Sequence, residues 1–224
     1  MKNGLFITGT DTGVGKTFVG TGIARALRRR GINVGVMKPA ETGCAVRQGV
    51  LVPADALSLM RSAQVDDELD LVNPYRFRAP IAPFVAAERE GRPIDMRRIA
   101  ASFRTLKSRH DVLIVEGAGG IMVPLTARRS FLDLAALLGL PVLIVARPGL
   151  GTINHTLLTF MALAARKVLI AGIVFNHSKE RHQDPSERTN PATIERLSGV
   201  PVLGQVRYGD EDFDGLTEML LDQL

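Results

Sequence analysis

The sequence predicts an α/β fold with a mostly parallel β-sheet and helices on both of its faces. Apolar segments rich in β-branched residues alternate along the chain with segments of helical periodicity, as in sheets whose strands are buried on both sides. A glycine-rich segment also joins the first apolar segment to the first helical one. With 224 residues, 46% of them hydrophobic, the chain is expected to form a single domain spanning residues 1–224.

The apolar and helical segments predict the order of the elements. Strands are predicted over residues 5–8, 34–38, 112–116, 142–146, 170–176 and 202–206, and helices over 16–30, 54–62, 96–107, 131–138, 153–165, 191–197 and 213–224. Region 65–93 contains four prolines and no sustained periodicity, so it is predicted to be a long loop with short helical pieces. The acidic residues at 210–214 are expected to cap the last helix rather than to bind a metal.

The segment between the first strand and the first helix is typical of a phosphate-binding loop. It reads Gly9-Thr10-Asp11-Thr12-Gly13-Val14-Gly15-Lys16-Thr17. In such a loop, successive backbone N–H groups and the helix N-terminus attract an anion, Lys16 reaches the outer phosphates, and Thr17 offers its hydroxyl to Mg²⁺. The spacing is irregular, since Thr10 stands where the common pattern has its first glycine. An accidental Gly-Lys-Thr is the alternative, but the flanking strand and helix favour a P-loop fold that binds a nucleotide.

Polar residues follow the second and third predicted strands, at the edge where parallel sheets bind ligands. Lys38 would stabilise charge on a transferring phosphoryl or carboxyl group, or it is an ordinary surface lysine. Thr42 suits a hydrogen bond to a substrate or a local turn. Glu116 closes the third strand, where P-loop proteins commonly have a second magnesium ligand, and the glycines after it let a phosphate approach the backbone. Asp55 suits either a helix cap or, with Thr17 and Glu116, an oxygen-rich Mg²⁺ site.

The fourth and fifth predicted strands are followed by two further candidates. Glycines at 149 and 151 precede a helix and suit a carboxylate at its N-terminus, although an ordinary turn with Thr152 as N-cap fits equally well. Asn176 closes the fifth strand, and its amide can pair with an adenine edge. His155 and His177 are expected to be solvent or core histidines rather than catalysts.

Composition and charge argue against several classes of protein. No segment approaches the roughly 20 apolar residues of a membrane span, and no signal peptide is recognised, so a cytoplasmic protein without a membrane partner is expected. The net charge of +5 comes from scattered basic residues, and the chain has no tryptophan, so no nucleic-acid partner is expected. The single cysteine, Cys44, is expected to be a small buried or loop residue. The sequence contains no zinc-ligand spacing and no readable Ser-His-Asp arrangement.

Taken together, these motifs resemble the ATP-dependent dethiobiotin synthetases over nearly the whole chain. The resemblance rests on the loop 9–17, Lys38-Pro39 with Thr42-Gly43, Val115-Glu116-Gly117-Ala118-Gly119-Gly120, Gly151-Thr152-Ile153-Asn154-His155, and Asn176. It implies a ligase of biotin biosynthesis that converts 7,8-diaminononanoate, CO₂ and ATP, with Mg²⁺, into dethiobiotin, ADP and phosphate. In that reaction a carbamate takes the γ-phosphoryl group of ATP, and the second amine then displaces phosphate from the carbamic-phosphoric anhydride and closes the ureido ring.

The resemblance also implies roles for individual residues. Lys38 and Lys16 are the expected catalytic residues, and Thr17, Asp55 and Glu116 are the expected Mg²⁺ ligands. The diamine is expected beside Thr12, Lys38 and Thr42, and its remote carboxylate at Gly151, Thr152 and Asn154 of the other subunit of a homodimer. The expected nucleotide-binding positions are Gly13, Val14, Gly15, Lys16, Thr17, Phe18, Asp55, Glu116, Gly117, Ala118, Gly119, Asn176, His177, Gln205, Val206 and Arg207.

Two other classes of protein share parts of this pattern. A partition or septum-site ATPase has the same type of sheet, but its signature needs a second lysine early in the loop, where this chain has Asp11. An amidating ligase related to the cobyrinic acid synthetases needs a glutaminase domain with a nucleophilic cysteine, for which the chain is expected to be too short. Gly13, His177 and Arg207 depart from residues common in the dethiobiotin synthetases, which leaves the contacts to base and ribose open.

Overall fold

The structure is a computed structural model that describes residues 4–179 and 184–222. Its strands are β1 (Gly4–Gly9), β2 (Val34–Met37), β3 (Ala40–Glu41), β4 (Ala45–Arg47), β5 (Val50–Val52), β6 (Tyr75–Arg76), β7 (Val112–Gly120), β8 (Pro124–Thr126), β9 (Arg129–Ser130), β10 (Val142–Ala146), β11 (Ile170–Asn176) and β12 (Val202–Val206). Its α-helices are α1 (Lys16–Arg29), α2 (Ala54–Ala63), α3 (Leu69–Val72), α4 (Pro83–Arg89), α5 (Met96–Arg109), α6 (Phe131–Leu138), α7 (Thr152–Ala165), α8 (Asn190–Ser198) and α9 (Asp214–Leu221).

Six of the strands form one parallel sheet in the spatial order β12-β11-β10-β1-β7-β2. Every residue of β1, β2 and β10 is buried, as expected for strands with helices on both faces, so the α/β fold predicted from the sequence is confirmed. Strand β1 pairs with β10 on one side and with β7 on the other. The loop after β1 therefore opens at the middle of the carboxyl edge of the sheet, where α/β proteins bind ligands.

Helix α1 packs the first apolar stripe of the sequence against this sheet. Val19, Ile23, Ala26 and Leu27 are all buried, and full burial of a side chain such as Ile23 contributes about 1.5–3 kcal/mol. The helix ends one residue before the predicted limit. Its last turn is basic, which complements the negative end of the helix dipole.

Strand β7 is longer than the sequence predicted. The apolar pattern ends at Glu116, and the strand was expected to end with it, but the strand continues to Gly120. Glu116 pairs with Ile7, and Gly120 pairs with Gly9 at the start of the phosphate-binding loop. Backbone pairing does not require apolar side chains, and the absence of a Cβ atom at Gly120 lets the end of this segment lie close to Gly9.

The smaller elements fit the remaining predictions in part. Region 65–93 contains the short helices α3 and α4, as predicted, and the two-residue strand β6, which was not predicted. The last helix is shorter than the predicted 213–224, of which residues 223–224 lie outside the described part of the chain. The Asp212 carboxylate accepts the backbone N–H of Asp214 at the first turn of α9, in agreement with the expected capping role. Within the described residues, no helix combines the length and apolarity that a membrane crossing needs.

Candidate active site

A crevice of about 520 Å³ opens beyond the carboxyl ends of β1, β2 and β7. Eleven of the residues predicted from the sequence line it, namely Thr12, Gly13, Gly15, Lys16, Thr17, Lys38, Thr42, Asp55, Glu116, Ala118 and Gly119. Further walls come from Glu41, Val123 and the segment 80–83. The sheet therefore brings the phosphate-binding loop together with polar residues that lie up to about a hundred positions away in the sequence.

The phosphate-binding loop has the backbone conformation that its glycines permit. Gly13 and Gly15 have φ angles of 73° and 90°, in the left-handed region where other residues are strained. A Cβ at Gly15 would lie only 2.0 Å from Nδ2 of Asn176. That amide nitrogen donates to the carbonyl oxygen of Val14 at 2.9 Å, so Asn176 braces the loop from β11. The amide oxygen of Asn176 is buried and has no hydrogen-bond partner among the described residues.

Lys38 lies at the centre of the crevice wall. Its Nζ is 2.5 Å from Oε1 of Glu116, 2.9 Å from Oδ2 of Asp55 and 3.4 Å from the carbonyl oxygen of Gly117. Burial alone would lower the pKa of Lys38, but the charges of Glu116 and Asp55 outweigh it and raise the pKa above its ordinary value. The side chain is therefore a buried ammonium group, and the alternative of a surface lysine is wrong.

Thr17, Asp55 and Glu116 lie around this ammonium. Thr17 donates its hydroxyl to Oε1 of Glu116 at 2.8 Å. Glu116 is fully buried, and its Oε2 has no hydrogen-bond partner in the described part of the chain. Burial would raise the pKa of Asp55, but Lys38 and the Thr17 hydroxyl outweigh this effect and lower it, so Asp55 favours the anion.

The donor set of these three residues suits Mg²⁺. It consists only of oxygens, and the unpartnered Oε2 of Glu116 leaves one ligand atom uncommitted. The described residues contain no group of three or more His, Cys, Asp or Glu side chains arranged to hold a metal. A Mg²⁺ ion at a nucleotide usually takes its other ligands from phosphate oxygens and waters.

Lys16 carries the second cation of the crevice. Its Nζ makes a long contact, 3.5 Å, with the carbonyl oxygen of Asp11. Burial, together with repulsion by Lys38, lowers the pKa of Lys16 to about 8. An anion bound in the loop would therefore favour the protonated form of Lys16.

Glu41 belongs to this site although the sequence did not point to it. It is 5% exposed, and its two carboxylate oxygens accept the backbone N–H groups of Asp55 and Ala56 at 2.9 and 3.0 Å. Burial raises the pKa of Glu41 despite these two hydrogen bonds. The only sequence signal is an acidic residue beside Thr42, and the partners of its carboxylate lie more than a dozen positions further along.

The three residues that were expected not to be catalysts have surroundings that fit that expectation. Cys44 is buried, and burial together with the nearby Glu41 raises the pKa of its thiol to about 11. His155 is exposed to solvent. His177 is largely covered, and its Nδ1 lies 3.9 Å from Oε1 of Glu187.

A second crevice of about 620 Å³ lies on the other side of the phosphate-binding loop. Gly13, Thr152, Asn176 and His177 line it, together with the segment 147–150. Helix α7 begins at Thr152, one residue earlier than predicted, and the N-cap is Gly151 with a φ of 89°. The Thr152 hydroxyl lies 3.3 Å from that of Thr156, so the alternative in which Thr152 is the N-cap is wrong.

The remaining predicted residues line neither of these two crevices. Gly151 and Asn154 flank the start of α7 at the surface. Gln205 and Val206 end β12 beside β11, and Arg207 follows them. Phe18 packs edge-on against Phe213, with ring centroids 5.7 Å apart. The carbonyl oxygen of Val14 accepts a hydrogen bond from Asn176, and that of Gly117 accepts one from Lys38. Nucleotide or substrate contacts by these residues stay predictions.

Comparison with solved structures supports the fold. The cell division ATPase MinD of Pyrococcus furiosus aligns with a TM-score of 0.64 and 17% identity, covering 100% of both chains. A chain of the MinC:MinD cell division protein complex of Aquifex aeolicus aligns with a TM-score of 0.56 and 15% identity, covering 97% of this chain and 86% of that one. At these identities the likeness shows only a shared fold.

Comparison with protein sequences is more specific. A family model described as an AAA domain matches residues 3–211. The ATP-dependent dethiobiotin synthetase BioD of Thermodesulfovibrio yellowstonii is 44% identical and covers 100% of this chain and 93% of its own length. Proteins of the same name from Anaeromyxobacter sp. strain K and Methanocaldococcus jannaschii are 49% and 39% identical, covering 87% and 94% of this chain and 85% and 96% of their own lengths. The chain therefore belongs to the family of ATP-dependent dethiobiotin synthetases.

Proposed function

We propose that this protein is an ATP-dependent dethiobiotin synthetase, a ligase that makes dethiobiotin from 7,8-diaminononanoate, CO₂ and ATP. Family membership over the full chain supports the activity. The structural observation that carries the proposal is the buried Lys38 ammonium, which faces the phosphate-binding loop across one crevice. Negative charge develops when a phosphoryl group passes from a nucleotide to a second substrate, and a cation on the side opposite the loop stabilises that charge.

The first step forms a carbamate. One amine of the diamine attacks the carbon of CO₂, a C–N bond forms, and the nitrogen loses a proton. The crevice walls at Thr12, Lys38 and Thr42 offer hydroxyl and ammonium groups for the diamine and for the new carbamate anion. The function of these residues in this step is to hold the carbamate oxygen in line with the terminal phosphate.

The second step activates the carbamate. A carbamate oxygen attacks the γ-phosphorus of ATP, and ADP leaves with the electrons of the broken P–O bond. Negative charge develops on the transferred group, and Lys16 and Lys38 supply fixed positive charge on its two sides. Bound Mg²⁺, held by Thr17, Asp55 and Glu116, would neutralise charge on the phosphate oxygens.

The third step closes the ring. The second amine attacks the carbonyl carbon of the carbamic-phosphoric anhydride, the C–O bond to phosphate breaks, and the nitrogen loses a proton. Phosphate then carries the negative charge that Lys38 is positioned to stabilise. The same cation therefore acts on both the formation and the breakdown of the anhydride.

The nucleotide base is proposed to lie against Asn176. The buried amide oxygen of Asn176 has no hydrogen-bond partner among the described residues, and the amino group of adenine would supply the missing donor. His177, Gln205, Val206 and Arg207 are the proposed neighbours of the base and ribose. Phe18 and the segment 117–119 are proposed to complete the nucleotide site.

The protein is proposed to act in the cytoplasm as a homodimer, with residues 1–224 as one synthetase domain. In the dimer, Gly151, Thr152 and Asn154 of one subunit would hold the remote carboxylate of the diamine bound to the other. The position of Gly151 and Asn154 at the exposed N-terminus of α7 supports this assignment, because a helix N-terminus attracts an anion. Leu150 next to them is 90% exposed, as a residue that packs only in an assembly would be.

A switch ATPase of the partition or septum-site class is the alternative on the same fold. In that class a lysine is expected early in the loop, whereas here Asp11 accepts a hydrogen bond from Arg147 at 2.9 Å. The carboxylate of Asp11 cannot supply the positive charge that the lysine of that class provides. This contact favours the synthetase.

The deciding experiment is a product assay. Purified protein is incubated with ATP, Mg²⁺, bicarbonate and 7,8-diaminononanoate, and dethiobiotin and ADP are measured by mass spectrometry. We expect the two products in equal amounts and neither product above background when the diamine is omitted. ATP hydrolysis without dethiobiotin at high enzyme concentration would overturn the proposal and favour the switch ATPase.

A further inference from the structure

We propose that Glu41 is a positioning residue for the metal site, which fixes the start of α2 so that Asp55 keeps its place beside Lys38. The proposal rests on the proposed function, in which Asp55 is a Mg²⁺ ligand. Glu41 itself lines the crevice but is assigned no contact with nucleotide or metal. Its effect would pass through the backbone of Asp55.

The start of α2 depends on Glu41 for its hydrogen bonds. The N-cap of this helix is Pro53, whose side chain has no hydrogen-bond acceptor. The first N–H groups of a helix have no partner within the helix, and here the carboxylate of Glu41 supplies two of them with acceptors. One of those N–H groups belongs to Asp55 itself, so Glu41 restrains the backbone from which the proposed metal ligand extends.

Glu41 is in turn held by a small two-stranded sheet that follows Lys38 in the chain. Strand β3 pairs with β6 through Ala40 with Tyr75 and Glu41 with Arg76. The carbonyl oxygen of Glu41 accepts the N–H of Phe77 at 2.8 Å. A carboxylate on a hydrogen-bonded strand thus ties the start of α2 to the site, and rigid support of this kind is what precise ligand placement needs.

Asp55 is consequently held from two directions. Its backbone N–H is bound by Glu41, and its carboxylate is bound by the Nζ of Lys38, three residues before Glu41 in the chain. If the first restraint is lost, the carboxylate would sample positions away from the metal. Removing a residue that orients a metal ligand typically lowers metal affinity about 10- to 100-fold.

The alternative is that Glu41 only stabilises α2, as any helix cap does. Asp95 offers a matched control, because it is the N-cap of α5 and accepts the N–H of Arg97 at 2.8 Å. Asp95→Ala also removes a capping carboxylate, and caps of this kind contribute about 1 kcal/mol. It does so at a helix that is assigned no part in the site.

The test measures how strongly Mg²⁺ improves nucleotide binding. The affinity of the protein for a non-hydrolysable ATP analogue is determined by calorimetry with and without Mg²⁺, and the ratio of the two affinities is the Mg²⁺ effect. We expect Glu41→Ala to lower this ratio about tenfold and Glu41→Gln to lower it less, because glutamine can still accept one of the two N–H groups. The affinity without Mg²⁺ should change less than about twofold, and Asp95→Ala should leave the ratio at the wild-type value.

Two further variants separate this inference from the proposed function. Asp55→Ala should lower the ratio by itself, and adding Glu41→Ala to it should cause little further loss, because the two residues act as one unit. An unchanged ratio in Asp55→Ala would overturn the assignment of Asp55 as a ligand. A normal ratio in Glu41→Ala, or a double variant whose losses add in full, would overturn the positioning role even if Asp55 is a ligand.

Discussion

The Nζ of Lys38 lies 2.5 Å from Oε1 of Glu116, and both side chains are almost completely buried. The two residues meet because β2 and β7 are neighbours in the sheet, with Met37 in register with Val115. Lys38 directly follows Met37 and Glu116 directly follows Val115, so both side chains extend from the same edge of the sheet. A buried charged group is stable only when it is paired, and this pair therefore links the cation of the site to one of its proposed metal ligands.

Replacing Lys38 by alanine should abolish most turnover but leave nucleotide binding nearly intact. The phosphates of ATP are expected to bind to the loop N–H groups and Lys16, which the substitution leaves in place. The negative charge that develops during phosphoryl transfer, however, loses the Lys38 ammonium that stabilises it. We expect turnover to fall about 100- to 1,000-fold and the dissociation constant for ATP to change only a few-fold. Steady-state kinetics and calorimetry measure the two effects separately.

The matched control is Lys107→Ala, which removes a lysine from the exposed face of α5. It should leave both quantities at wild-type values. Thermal denaturation of Lys38→Ala belongs in the same experiment, because breaking a buried pair costs about 3–5 kcal/mol and the assay must be run where the variant is folded. Turnover of a folded Lys38→Ala protein at the wild-type rate would remove Lys38 from the mechanism.

Gly15→Ala should destabilise the protein and prevent nucleotide binding. The new Cβ would lie 2.0 Å from Nδ2 of Asn176, in a backbone conformation that costs an alanine about 1–2 kcal/mol by itself. Either the loop or Asn176 must move, and both belong to the proposed nucleotide site. The loss of binding is measured by calorimetry and the loss of stability by thermal denaturation.

Gly31→Ala is the control for this substitution. Gly31 has a similar φ of 77°, but a Cβ there meets no atom within 4 Å among the described residues. It should show the conformational cost alone, with normal ATP affinity. If the two variants lost the same stability and both bound ATP, the close approach of Asn176 to the loop would have no functional importance.

Nucleotide affinity should fall as the pH rises above about 8. Free Lys16 has a pKa lowered to about 8, so above that pH an increasing fraction of the protein must take up a proton before its ammonium can bind phosphate. Bound phosphate raises the pKa of Lys16 again, and the affinity should therefore decrease by up to about tenfold per pH unit. Calorimetry in two buffers of different ionisation enthalpy would detect the proton uptake.

The control for the pH effect is Lys16→Arg, because arginine stays protonated throughout this range. Its affinity for ATP is expected to be lower than that of the wild type but independent of pH between about 7 and 9.5. A wild-type affinity that stays constant over the same range would show that the protonation of Lys16 does not limit binding.

The elements that were predicted most accurately have clear boundaries in the sequence. The limits of β10, β11 and β12 agree with prediction, because a proline precedes β10 and β12 and a polar residue ends or follows each of the three strands. The extension of β7 through Gly120 was missed, since glycines give no pattern of burial. The short strands β3, β4, β5, β6, β8 and β9 were missed as well, because two or three residues are too few to show a period.

The site was predictable where a motif or a strand end marks the residue. Lys16 and Thr17 follow from the loop, and Lys38 and Glu116 follow from their places at the ends of two apolar segments, which form the neighbouring strands β2 and β7. Glu41 was not predictable, because its role depends on a contact between β3 and α2 that only the folded chain forms. Gly151 and Asn154 lie at the surface of a single chain, so their predicted role depends on a second subunit.

The proposed sharing of each site between two subunits can be tested by mixing two variants that are inactive for different reasons. Lys38→Ala removes the cation from its own subunit's crevice. Asn154→Asp places a carboxylate beside the proposed seat of the diamine's carboxylate, and because residue 154 is exposed the fold should be retained. Like charges at this position should weaken diamine binding by roughly tenfold or more, so the assay uses a low diamine concentration.

If each site is shared, a mixed dimer contains one damaged site and one intact site, which combines Lys38 of one subunit with Asn154 of the other. Random exchange makes about half of the dimers mixed, so about a quarter of the wild-type activity should return. Each variant exchanged with itself is the control, and size-exclusion chromatography checks that dimers are present. Exchange without any gain in activity would show that both residues serve the same subunit's site, and a monomer at assay concentration would exclude the shared site altogether.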